Sequence, residues 1–168
     1  MDQPFAALSE KYRGTDNLHT LQAAISDRDE TMDMHYIVDG VGAPALTLFS
    51  SLDRDTVERN LASAKREDGT LADHSIMTRA IAARRLRSVL GEFAMQDVDA
   101  VVVDTEGFDH RIVRSFLEDG VEPQIIRLEY CNMSRRDFYA LRELLLARGY
   151  EIVRVGIDLY CQKEGLLR

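Results

Sequence analysis

Residues 98–116 read VDAVVVDTEGFDHRIVRSF, and this stretch decides the fold. Val98 to Val103 is apolar nearly throughout, as a strand covered on both faces must be. Asp104 to Gly107 then breaks the run with two acids and a glycine, and HRIVRSFLEDG takes up helical spacing until Gly120. The same alternation follows downstream. Gln124 to Leu128 is a second apolar run, and SRRDFYALRELLLARG reads as a helix in which Ser134 and Asp137 resemble a capping box and Gly149 marks the end. YEIVRV and DLYCQK close the chain as two strands. Strand, helix, strand, helix and a closing hairpin predict an α/β sandwich with parallel central strands.

Working outward, the first half is less regular. Pro4 to Tyr12 spaces Phe5, Leu8 and Tyr12 as a short amphipathic helix. Leu18 to Ile25 reads as a buried strand, Thr31 to Val38 as an alternating one, and Asp39, Gly40 and Gly42 as a turn. From Ala43 the pattern weakens, although SSLDRDTVERNLASAKRE has a cap at Ser51 or Asp53 and helical spacing through Val57, Leu61 and Ala64. His74 to Ile81 is expected as a short edge strand. Ala82 to Phe93 is expected as a helix with Leu86, Val89, Leu90 and Phe93 on one face and its arginines on the solvated one. No repeat or linker interrupts residues 1–168, so a single domain is expected.

Composition narrows the function classes. The 168 residues are 45% hydrophobic and 30% charged, with 21 Lys plus Arg against 29 Asp plus Glu and a net charge of −8. That size supports a core without metal or disulfide staples. The acidic balance removes the long-range attraction on which non-specific nucleic-acid binding depends. Cys131 and Cys161 lack zinc or disulfide-framework spacing, the N-terminus lacks the basic start and apolar run of a signal peptide, and no apolar stretch reaches membrane-spanning length. A reducing, cytoplasmic setting with no membrane or nucleic-acid partner is the expectation.

Ligands of open α/β sheets bind at the carboxyl ends of the strands. The residues there are Ser26 and Asp27, then Asp104, Thr105, Glu106 and Gly107, then Glu129, Tyr130, Cys131 and Asn132. Carboxylates at a strand end can accept a hydrogen bond from a hydroxyl or amine, hold a hard cation, or take a proton as general base. Asp104 and Glu129 can equally serve as helix or turn caps. His19, His35, His74 and His110 show no metal-binding spacing, so no metal site is expected and His110 reads as a solvated first-turn residue. Cys131 reads as a packing or pocket-lining residue. Arg79, Arg84, Arg85 and Arg87 read as a charged face meeting water, although an acidic or phosphorylated partner would also suit them. GxGxxG, GxxxxGK[ST] and GxSxG are all absent, which excludes an intact dinucleotide domain and an α/β-hydrolase.

VDAVVVDTEGFDHRIVRSF, PQIIRLEY and ARGYEIVRVGIDLYCQK together resemble the S-adenosylmethionine-dependent methyltransferases of the FkbM type, with their "ID-x-EG" turn, "P-x-ii-x-x-E" strand and closing "GY" hairpin. The similarity extends upstream through PFAALSEKYRGTDNLHTLQAAISDRDETMDMHYI and the serine-containing SSLDRDTVERN. It implies a class I methyltransferase-like (Rossmann-like) three-layer α/β sandwich, a mostly parallel sheet in the order 3-2-1-4-5-7-6, and an antiparallel C-terminal hairpin. The implied activity is methyl transfer from S-adenosylmethionine to a hydroxyl of a small molecule or sugar. Asp104, Glu106 and Glu129 would then be catalytic, and Ala24, Ser26, Asp27, Asp104, Thr105 and Gly107 would bind the cofactor.

Against that pattern the chain lacks the first two strands and the glycine-rich turn between them, and Arg87 stands where many relatives carry an acid. A start further upstream in the natural protein would account for the difference. Within this chain the expected consequence is that the Leu18 strand pairs directly with the Val98 strand. A partner chain or second copy covering the sheet edge is the alternative. The rival to catalysis is a binding or assembly module that keeps the α/β fold without its chemistry.

Overall fold

The computed structural model describes residues 2–40, 42, 49–67, 71 and 73–166. The weakly patterned stretch at 43–48 therefore lies outside the described residues. In chain order the elements are α1 (Asp2–Lys11), β1 (Ala24–Ser26), β2 (Glu30–Val38), α2 (Arg54–Glu67), β3 (Ser75–Arg85), α3 (Leu86–Glu92), β4 (Ala100–Val103), α4 (Asp109–Glu118), β5 (Ile125–Glu129), α5 (Arg135–Ala147), β6 (Tyr150–Val155) and β7 (Asp158–Lys163). None of the described helices is long and apolar enough to cross a membrane.

The second half folds as its periodicity dictates. β4 and β5 pair in parallel through the crossover helix α4, and β7 inserts antiparallel between β5 and β6, giving the order β4-β5-β7-β6. This reproduces the 4-5-7-6 end of the expected order. The alternating side chains Val103, Ile126, Leu128, Leu159 and Cys161 point to α4 and α5, where Ile112, Phe116, Leu141 and Leu145 complete the main core. Ser134 caps α5 by accepting the Asp137 backbone N–H at 3.1 Å, as the sequence predicts. Tyr150 is buried, and its hydroxyl donates to the Pro123 carbonyl at 2.6 Å, tying the start of β6 to the approach to β5.

The first half departs from expectation. It forms a separate three-stranded sheet in the order β1-β3-β2, so the strands lie in two sheets rather than one. Three of the five pairings among the described strands are antiparallel, which replaces the mostly parallel sheet. On the other face of the four-stranded sheet Val102, Ile125, Val153 and Tyr160 are 64%, 42%, 57% and 39% exposed, and no described helix covers them. The unit is two-layered there, because α4 and α5 both cover one face and the upstream chain builds its own sheet instead of supplying a third layer.

Three local expectations change with it. Of the run from Leu18 to Ile25 only Ala24 and Ile25 are strand, with Ser26 added beyond it, and this β1 pairs in parallel with β3 rather than with the Val98 strand. The residues before it lie along the end of α3, with the His19 ring stacked on Phe93 at 4.7 Å. The strand expected at His74 to Ile81 runs on to Arg85 and is central, pairing with β2 over nine positions and with β1 on its other side. The helix expected from Ala82 therefore starts at Leu86. Arg79, Arg84 and Arg85 project from a strand, and Arg85 donates to Asp119 at 2.6 Å. Alanine and arginine are strong helix formers, but a double-sided ladder outweighs their propensity.

Candidate functional site

The turn after β4 is built by an acid in the first turn of α4. Asp109 is 1% exposed, and its carboxylate accepts the Thr105 hydroxyl at 2.9 Å, the Gly107 N–H at 3.1 Å and the Thr105 N–H at 3.4 Å. Folding the chain around that carboxylate drives Glu106 to φ 54 and Gly107 to φ 104. Glycine meets that geometry without strain, whereas glutamate does so at a cost that structures retain mainly at functional sites. A Cβ on Gly107 would lie 2.8 Å from the Thr56 hydroxyl. Thr56 is itself fixed, donating to Asp53 at 2.8 Å and accepting from Arg59 at 2.7 Å, so the start of α2 backs the turn. The buried Ser51 adds a second tie: its backbone bridges to His35 of β2, and its hydroxyl donates to the Thr105 carbonyl at 3.4 Å.

Three predicted residues converge on this turn. Asp104 and Glu106 follow β4, Glu129 ends β5, and one carboxylate oxygen from each lies within 4.8 Å of the others. Parallel pairing aligns the two strand ends and so brings together residues distant in sequence. Asn132 donates from Nδ2 towards both Glu106 and Glu129 at 3.4 Å. Burial, followed by the charges of Glu129, Asp104 and Asp109, pushes the Glu106 carboxyl from 4.5 up to about 7, with Asn132 opposing. An all-oxygen anionic set of this kind suits a hard cation or a cationic organic group, and a carboxyl near 7 suits proton transfer at neutral pH. Cys131 is no rival nucleophile: desolvation, then its hydrogen bond to Glu129 and nearby carboxylates, push its thiol up to about 12.

The remaining predicted residues lie elsewhere or face inward. Ala24 opens β1, and the hydroxyl of buried Ser26 donates to Asp27 at 3.2 Å and to the Met32 sulfur at 3.1 Å. Asp27 accepts from Arg111 at 2.8 Å and from Arg28 at 3.0 Å; partial burial opposes ionisation, but these partners hold its carboxyl below the usual carboxylate range. It lines a cleft of about 800 Å³ between α4 and the start of α5, and neither Asp104, Glu106 nor Glu129 lines that cleft. His110 also lines it and is half-buried rather than solvated; burial holds its imidazole below the ordinary range. Sequence reading passed over Asp109 and Thr56. Asp109 carried a faint signal, an acid in the first helical turn four residues after Thr105, whereas Thr56 reaches the site only through the packing of α2.

The chain matches no curated protein and no solved structure. It does match the family model described as the methyltransferase FkbM domain, over residues 3–152. The matched region takes in the Asp104 to Gly107 turn, Glu129 and Asn132. The chain belongs to the FkbM methyltransferase domain family.

Proposed function

We propose that this protein transfers a methyl group from S-adenosylmethionine to a hydroxyl oxygen of a small molecule or sugar, at the carboxyl ends of β4 and β5. The observation that carries the reading is the convergence of Asp104, Glu106 and Glu129, with Glu106 raised to about 7. The donor set fits the cofactor chemically, because a sulfonium is a cation and three crowded carboxylates favour one. When bound, S-adenosylmethionine supplies an electrophilic methyl group. Glu106 takes the proton of the acceptor hydroxyl on its carboxylate oxygen. Asp104, the most exposed of the three, accepts a second hydrogen bond from the acceptor and orients its oxygen. Asn132, whose amide also donates to Glu129, donates to the Glu106 carboxylate and holds it in place. The cofactor side is assigned to Asp104 with Thr105 and Gly107 of the same turn; Ser26 is buried with its hydroxyl engaged and Asp27 lines the other cleft, so Ala24, Ser26 and Asp27 are left out of the assignment.

Calorimetric titration with S-adenosylhomocysteine, on protein shown to be folded by circular dichroism, tests the cofactor half. Micromolar binding is expected. Glu106→Gln should keep that affinity within a few-fold while methyl transfer to a panel of sugars and hydroxylated small molecules falls by about 10²–10⁴. A folded chain that binds no S-adenosylhomocysteine at millimolar concentration overturns the reading.

A further inference from the structure

The cleft between α4 and α5 is separate from the acidic site and has a different chemistry. Its volume of about 800 Å³ lies in the range of small-molecule sites. One wall is a continuous stripe of α4, formed by His110, Arg111, Arg114 and Ser115, which a helix places on one side at its four-residue spacing. Arg136, from the first turn of α5, and Arg85, at the end of β3, bring the guanidinium groups in the cleft to four. Three carboxylates, Asp27, Glu118 and Asp137, line the cleft as well, so the four guanidinium groups leave it with a small net positive charge on a chain of net charge −8.

Two observations show that this concavity is not satisfied by the protein alone. Arg114 and Arg136 have no ion pair or hydrogen bond among the described residues, whereas Arg85 and Arg111 are held by Asp119 and Asp27. More telling, Ser115 is only 6% exposed, and its hydroxyl has no hydrogen-bond partner; Nδ1 of His110 and Nε of Arg85 are likewise buried and unpartnered. Buried polar atoms are nearly always paired in folded proteins, and Ser115, on the cleft wall, is the orphan that points to a ligand; Nε of Arg85 lies in an ion pair whose Asp119 Oδ2 is equally unpartnered. Ser115, Arg85 and His110 can all donate: a hydroxyl, a guanidinium N–H and, in the appropriate neutral tautomer, an imidazole N–H.

We propose that this cleft binds a phosphate-type oxyanion, free or carried as a monoester on a small molecule. Arg114 and Arg136 supply the unpaired charge, and guanidinium forks match a tetrahedral oxyanion's acceptor geometry. Ser115 and His110 complete the donor set from α4. The proposal does not depend on methyl transfer and would survive its failure.

The test follows the His110 ring signals by NMR during titration with inorganic phosphate and with glucose 6-phosphate at constant ionic strength. Saturable shifts in the millimolar range or tighter are expected. Affinity should fall about tenfold or more in the Arg114→Gln/Arg136→Gln double variant, whose altered side chains are exposed and remote from the core. The Arg54→Gln/Arg142→Gln variant removes the same charge elsewhere and should bind as the parent does. Equal affinity for the two probes identifies the free oxyanion as sufficient, and tighter binding of the monoester identifies an ester ligand. Absence of a saturable shift with both probes, or unchanged affinity in the Arg114→Gln/Arg136→Gln variant, overturns the proposal.

Discussion

The two sheets of this molecule rest on cores of very different size. The cluster beneath β4-β5-β7-β6 holds fifteen buried side chains, of which only Leu90 precedes residue 100. The cluster between β2, β3 and α2 consists of Ile37, Val57 and Leu61, with Phe49 and Ile76 partly buried against it, while Ile25 of β1 and Met32 of β2 pack against the larger cluster. Yet the sheet with the smaller core of its own carries the longer ladder, the nine paired positions of β2 and β3. Strand length and core depth are therefore uncoupled: backbone pairing organises the first sheet, while side-chain packing against helices organises the second. Because hydrophobic burial is the larger stabilising force, cooperativity should reside in the second half.

Truncating a side chain in each core gives the sharpest contrast. Phe116 is fully buried in the larger cluster, and Phe116→Ala should cost about 3–5 kcal/mol. Val57 is equally buried in the small one, and Val57→Ala should cost about 1–3 kcal/mol. Urea denaturation measures both. Amide exchange should show the Val57→Ala effect confined to β2, β3 and α2, whereas Phe116→Ala should accelerate exchange throughout β4 to β7. Equal costs with equal spread would show that the two cores unfold as one.

The same contrast explains what could be read from sequence. In residues 98–163 each strand is an apolar run or alternation packed on helices, so periodicity alone gives the order of elements, the Ser134 cap and the strand-end acids. In residues 18–93 the deciding interactions are pairings. AARR at 82–85 reads as helix by composition and is strand because β1 and β2 flank it; β1 itself is three residues long, too short for any pattern to declare. At the site, Asp104, Glu106 and Glu129 were legible because parallel strands deliver their C-terminal residues to one end. Thr56 was not, because its contact with Gly107 depends on where α2 docks.

The acidic site lies at the seam between the two regions and carries a measurable pH signature. Glu106 has an ordinary value of 4.5 and is raised in the fold to about 7. The folded chain thus binds this proton more tightly than the unfolded one. Stability from this group is fully present below about pH 4.5 and is lost as pH rises through about 7. After screening by solvent the loss should be about 1–2 kcal/mol. Glu106→Gln, which keeps the shape without the charge, should flatten that part of the stability–pH curve. An unchanged slope in the variant would place the titrating proton elsewhere.

The smallest expected effect asks to which region β1 belongs. β1 pairs with β3, but the Asp27 carboxylate that follows it accepts two hydrogen bonds from Arg111 of α4, at 2.8 and 3.1 Å. A double-mutant cycle with Asp27→Asn and Arg111→Gln isolates that link. Arg111 is partly exposed and also stacks over Phe108, and Asp27 keeps Arg28 as a second partner, so each single change leaves some interactions in place. The coupling should therefore fall within about 0.2–1 kcal/mol and shrink as salt is raised. A coupling well above that range, insensitive to salt, would mean that β1 unfolds with α4 and that the larger cooperative unit begins near residue 24 rather than residue 100. A coupling in the expected range leaves β1 with its backbone partner, and the contrast between a paired sheet and a packed one then holds along the whole chain.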